Sequence, residues 1–194
     1  MKVLTVVGNR PQFVKAAPLS VALRDAGLAE VVVHTGQHWD DDLSTVFFDE
    51  LRIPVPAYRL DLRTADVDAL TPRLQEVVRA ERPDVVLVLG DTNSTLAGAR
   101  AAATAGVPIA HVEAGLRSGD LEMPEERARI EVDTLADLLL CPDERSASTL
   151  GAEGVRGRAE VVGDVMADAT LRFAPIARER VPPPHPPGSY VVAL

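Results

Sequence analysis

Charged and amide side chains cluster just beyond the short apolar runs of this chain. Val3–Val7 leads into Gly8-Asn9-Arg10-Pro11-Gln12 and then a helical stretch carrying Lys15. Val31–Val33 leads into His34-Thr35-Gly36-Gln37-His38, and Val85–Leu89 into Gly90-Asp91-Thr92-Asn93-Ser94. Ile109–Val112 leads into Glu113-Ala114-Gly115-Leu116-Arg117 and, after a loop, Met123-Pro124-Glu125-Glu126-Arg127. Three acids (Asp91, Glu113, Glu125) and two cations (Arg10, Lys15) at neighbouring run ends suit a charged, polyhydroxylated small molecule. An arginine fork can hold two oxygens of an anionic group at once.

Several of these residues also have structural duties to weigh. Asp91 before Thr-Asn-Ser fits a helix N-cap. Glu125 and Glu126 follow Pro124 at a helix start, where proline and first-turn acids are favoured. Glu113, between His-Val and Ala-Gly, has no evident structural task. His34 reads as a strand histidine satisfied in place, and Cys141, at the end of Leu138–Cys141, as a small core residue. For His38 and His111 both readings stay open.

The elements that must position these groups follow from periodicity. The apolar runs Val3–Val7, Val31–Val33, Val85–Leu89, Ile109–Val112, Leu138–Leu140 and Val161–Val162 are short and β-branched or leucine-rich. Such runs suit strands buried on both faces. Between them, Phe13–Ala26, Val67–Ala80, Ser94–Ala105 and Glu125–Ala136 are long enough for helices, and Gly27 and Gly106 suit helix ends. The pattern β-α-β-α-α-β-α-β-α-β-α-β predicts an α/β fold, a Rossmann-like doubly wound parallel sheet. Ligands of such sheets gather beyond the carboxyl ends of the strands, where strand order reverses. Residues 1–177 are expected to form one domain. The Pro-rich stretch 178–188 is expected to be an extended linker, and 189–194 the first strand of a further domain.

Composition narrows the function. A net charge of −9 argues against nucleic acid or an anionic membrane as a partner. One cysteine in 194 residues excludes an internal disulfide framework. The N-terminal apolar run is too short for a signal segment or a membrane span, so a cytoplasmic setting is expected. The sequence has no Gly-x-Gly-x-x-Gly dinucleotide fingerprint, no Walker loop, no Gly-x-Ser-x-Gly and no clustered Cys/His ligand set, so no metal site is expected.

The strings GNRPQFVKAAPL, HTGQHWDDDLSTVFFDELRIP, PDVVLVLGDTNSTLAGA, PIAHVEAGLRSGDLEMPEER and VVGDVMAD resemble, in order and spacing, the N-terminal domain of non-hydrolysing UDP-N-acetylglucosamine 2-epimerases. The resemblance covers nearly all of residues 1–170. It implies one half of a two-domain, glycosyltransferase-B-like architecture, with a cleft between the halves. It also implies interconversion of UDP-GlcNAc and UDP-ManNAc without a cofactor: UDP is eliminated to give 2-acetamidoglucal, then re-added with protonation of the opposite face of C2. Asp91, Glu113 and Glu125 match the family's catalytic acids in this half, and Arg10 and Lys15 match substrate contacts. His38 and Arg129 are expected to bind substrate with them. The family is commonly homodimeric, and a C-terminal domain is implied. Here Gln12 replaces a usual Glu, Ala128 a usual Asn and Asn9 a usual Thr. The chain alone is expected to be inactive as an epimerase. The alternatives are a non-catalytic half that pairs with a separately encoded partner and, more remotely, a glycosyltransferase of the same architecture.

Overall fold

A computed structural model of the chain describes residues 1–37, 48, 51 and 53–180. His38, Trp39 and the stretch 181–194 lie outside the described residues. The elements run β1 (Lys2–Val7), α1 (Arg10–Asp25), β2 (Ala29–His34), β3 (Tyr58–Arg59), α2 (Val67–Glu81), β4 (Val85–Leu89), α3 (Asn93–Ala105), β5 (Ile109–Val112), α4 (Pro124–Leu135), β6 (Leu138–Cys141), α5 (Glu144–Glu153), β7 (Arg158–Val161) and α6 (Val165–Arg180). The strands form one sheet in the order β3-β2-β1-β4-β5-β6-β7, and every pairing is parallel. The doubly wound α/β expectation therefore holds. Strand order reverses between β1 and β4, and the crevice of such a sheet opens there.

Both faces of the sheet are covered because the central strands are apolar at most positions, with Thr5 and His111 as buried polar exceptions. In β1, Leu4 and Val6 pack beneath α2, α3 and α4 with Leu74, Ala97 and Val132. Val3 and Val7 point the other way, to Phe13 and Ala17 of α1 and Val165 of α6. Small residues let α3 sit close to the sheet: a Cβ on Gly98 would lie 3.0 Å from Val88 and 3.2 Å from Val6 side chains. Cys141 is a buried core residue, as its run implied.

Three differences from the sequence reading have local causes. β3 is a two-residue strand, too brief for an alternating pattern to register. The last strand is Arg158–Val161, three of whose four residues are exposed, so the apolar pair Val161–Val162 marks only its end. A further helix, α6, follows it and runs through Arg180, so residues 178–180 are helical although the linker was expected to begin at Arg178.

Candidate functional site

The first two strands at the switch point supply the floor of the site. Asn9 caps α1 through its side chain, which accepts from Gln12 N, and Arg10 begins that helix, exposed to solvent. Gln12 is fully buried. Its Oε1 accepts from Gly8 N (2.7 Å), and its Nε2 donates to the Leu89 carbonyl (3.0 Å) and to Thr95 Oγ1 (2.9 Å). One amide thereby ties the ends of β1 and β4 to the start of α3. The amide at position 12 thus meets a donor at its oxygen and acceptors at its nitrogen, partners that a carboxylate would not satisfy at both ends. Ala128 of α4 is buried in the core.

Asp91 does not cap α3. Thr92 is the N-cap, its hydroxyl accepting from Thr95 N, while the Asp91 carboxylate pairs with Arg129 Nη2. Arg129 reaches from α4 and uses Nη1 to bond Glu126 (2.8 Å), so it spans two acids. Glu126 is the structural member of the paired glutamates. It is 2% exposed and accepts from Ser118 N and Gly119 N (2.9–3.0 Å), holding the loop before α4. Burial alone would push its carboxyl up, but the bonds from Ser118 and Gly119 and the Arg129 charge hold it below the usual carboxylate range. Glu125 instead is exposed at the helix start, where Met123 provides no side-chain cap.

Glu113 occupies the left-handed region, with φ +68°. A non-glycine residue pays of order 1 kcal/mol or more to be held there, and such positions concentrate at functional sites. Its carboxylate pairs with Lys15 Nζ, and both side chains are about one-seventh exposed (14% each). A Cβ placed on Gly90 would lie 3.0 Å from Lys15 Nζ and 3.3 Å from Glu113 Oε2, so this ion pair lies directly over the turn that carries Asp91. Beside it is a cleft of about 210 Å³ lined by Asn9, Gln37, Asp91, Thr92, Asn93 and Glu125. A larger hollow of about 280 Å³ lies at the other end of the sheet, by Pro108, Leu135 and Asp137. Its carboxylate, Asp137, accepts from Ile109 N (2.9 Å) and so holds the start of β5.

The structure thus gathers Lys15 with Glu113 and Arg129 with Asp91, and puts Asp91 and Glu125 on one cleft. Arg10 stands at the start of α1, and His38 lies outside the described residues. His34 closes β2: its Nδ1 accepts from Gly36 N (3.0 Å) and its ring stacks on Phe13. His111 is fully buried between Asp133 and the Gly90 carbonyl. Its partner Asp133, 22 residues away on the next helix, could not be found from the sequence, because nothing in α4's pattern distinguishes it from a surface acid.

A family model described as UDP-N-acetylglucosamine 2-epimerase matches residues 21–193. The UDP-2,3-diacetamido-2,3-dideoxy-D-glucuronate 2-epimerase of Pseudomonas aeruginosa is 48% identical over 182 residues, which are 90% of this chain and 51% of that protein. The UDP-N-acetylglucosamine 2-epimerase of Methanocaldococcus jannaschii is 38% identical over 92% of this chain and 50% of its own length. The crystal structure of the Methanocaldococcus jannaschii UDP-GlcNAc 2-epimerase in complex with UDP-GlcNAc and UDP superposes with a TM-score of 0.88 at 37% identity. It covers 93% of this chain and 51% of that one. The epimerase of Neisseria meningitidis bound to UDP-GlcNAc gives 0.82 at 30% identity, covering 92% and 50%. The chain therefore spans about half the length of the relatives it matches. Matched by that family model over most of its length, the chain belongs to the UDP-N-acetylglucosamine 2-epimerase family.

Proposed function

We propose that this chain supplies the proton-transfer half of a UDP-N-acetylglucosamine 2-epimerase site, with Asp91, Glu113 and Glu125 as the acids. The observation that carries this reading is the placement of Asp91 and the Lys15–Glu113 pair together at the β1/β4 switch point. The reaction needs a group to take the C2 proton while the C1–oxygen bond to UDP breaks. The products are 2-acetamidoglucal and UDP. In the return step a proton is delivered to the other face of C2 and the UDP oxygen re-forms its bond to C1. A positioned acid or base of this kind contributes on the order of 10²–10⁴ in rate.

Glu113 and Asp91 are the groups closest to the sugar in this reading, with Glu125 supporting proton transfer from the open side of the cleft. Arg10, Lys15, His38 and Arg129 contact the anionic nucleotide sugar in this reading, Lys15 and Arg129 also serving as counter-charges to Glu113 and Asp91. The amides of Asn9, Gln37 and Asn93 around the cleft suit sugar hydroxyls and the acetamido group. The opposing wall, which would exclude water from the glycal, belongs to a second domain in this reading, and the active assembly is a homodimer working in the cytoplasm. The relatives' names support UDP-GlcNAc as substrate, and the 48% identical relative, named for a 2,3-diacetamido uronate, makes that sugar nucleotide the second candidate.

Amide shift mapping of the ¹⁵N-labelled chain during titration with UDP-GlcNAc tests the placement. Shifts are expected at Asn9, at Gly90–Thr92 and at Glu113–Gly115. Saturable shifts confined to the hollow by Pro108 and Asp137 would contradict it.

A further inference from the structure

The proposed chemistry leaves one buried ionisable pair unused. His111 on β5 and Asp133 on α4 both have fully buried side chains (0% each), and neither lines the cleft. His111 Nε2 is 2.8 Å from the Gly90 carbonyl and Nδ1 is 2.7 Å from Asp133 Oδ1. A carbonyl only accepts, so Nε2 carries a proton. The other carboxylate oxygen of Asp133 already accepts from Gly115 N (3.1 Å) and Arg117 Nη1 (2.7 Å). The Arg117 charge on that oxygen holds Asp133 as the carboxylate, which puts the proton of the Oδ1–Nδ1 bond on the ring. Arg117 continues to Glu153 (2.6 Å), which makes the cluster two cations (His111, Arg117) against two anions (Asp133, Glu153). Electroneutrality is what lets buried charge persist there.

The backbone partners give this cluster its meaning. Gly90 precedes Asp91, adopts φ +67°, and also donates its N–H to the Val112 carbonyl (3.0 Å). Gly115 follows Glu113 by two residues and adopts φ +82°. The chain of bonds Gly90 carbonyl, His111, Asp133, Gly115 amide therefore joins the two turns that present the two innermost acids. We propose that His111, as a doubly protonated imidazolium, and Asp133 are positioning residues that fasten these turns together and so fix Asp91 relative to Glu113. The proposal rests on the reading of those two acids as the reacting pair. Burial raises the Asp133 carboxyl, but the His111 and Arg117 bonds outweigh it and hold the group below its usual range, consistent with the bonding pattern.

The chain has four histidines, so ¹⁵N-histidine labelling of the full chain gives four ring systems. At neutral pH one ring is expected to carry protons on both nitrogens, and its signals to vanish in His111→Phe. In Asp133→Asn the new amide offers N–H to Nδ1 and still accepts from Gly115 and Arg117. That ring is then expected to keep only its Nε2 proton, a change a merely space-filling histidine would not show. In His111→Phe the amide hydrogens of Gly90 and Gly115 are expected to exchange together, faster by about tenfold or more. A wild-type His111 ring with one proton, or a ring unchanged by Asp133→Asn, overturns the proposal. So does loss of protection at Gly90 alone. If His111→Phe does not fold, the Asp133→Asn spectrum still decides. None of these readouts needs turnover, so their failure is distinct from failure of the epimerase reading.

Discussion

At the residue scale, two side chains with the same net role in a sequence pattern are separated by what they touch. Glu125 and Glu126 are adjacent, yet Glu126 is spent on Ser118, Gly119 and Arg129 while Glu125 faces the cleft. Gln12 shows the same dependence on partners, because its buried amide must accept from Gly8 and donate to Leu89 and Thr95. Gln12→Glu would replace the donor with a second acceptor facing the Leu89 carbonyl. The variant is expected to lose about 2 kcal/mol in urea unfolding at neutral pH. It should recover part of that loss at pH 5, where a buried acid protonates and regains a donor. Equal stability at both pH values, matching the parent chain, would show that the amide's donor is dispensable.

At the element scale, the turns after β4 and β5 are set by close backbone approach more than by local preference. A Cβ on Gly115 would lie 2.4 Å from the Ser146 carbonyl oxygen, and the residue sits at φ +82°. Gly115→Ala is expected to cost about 3 kcal/mol, combining backbone strain with displacement of α5. Gly27→Ala is the control: Gly27 has φ +69° but nothing within 4 Å of an added Cβ, so only the conformational cost of about 1 kcal/mol applies. Similar losses for the two, read from urea midpoints, would contradict the packing argument. The central strands were legible in the sequence because burial on both faces leaves continuous apolar runs, as in Val85–Leu89. β3 was not, and of the polar β7 only the end at Val161 was, since pairing with a neighbour and not side-chain pattern defines them. The acids Asp91, Glu113 and Glu125 stood out by position after strands. Arg129, the partner of Asp91, and Lys15, the partner of Glu113, are 38 and 98 residues distant, so those pairings exist only once the sheet has brought the segments together.

At the scale of the whole molecule, the same carboxylates that organise the site link stability to acid. Asp133 and Glu126 hold their protons less readily in the folded chain than in the unfolded one. Their contribution is therefore complete above the ordinary carboxylate range of about 4 and is lost as pH falls below it, where unfolding takes up protons. Unfolding free energy is expected to drop steeply below about pH 4, and less steeply in Asp133→Asn. An unchanged slope in that variant would contradict the coupling.

That the acids of this chain move the C2 proton is tested most directly by proton NMR of UDP-GlcNAc in D₂O. The catalyst is residues 1–180 joined to the remaining half of a full-length relative, with the 194-residue chain alone alongside. The hybrid is expected to form UDP-ManNAc deuterated at C2, to slow by about 100-fold or more in Glu113→Gln, and the lone chain to show no turnover. Epimer formation without deuterium at C2, or at an undiminished rate in Glu113→Gln, would contradict it.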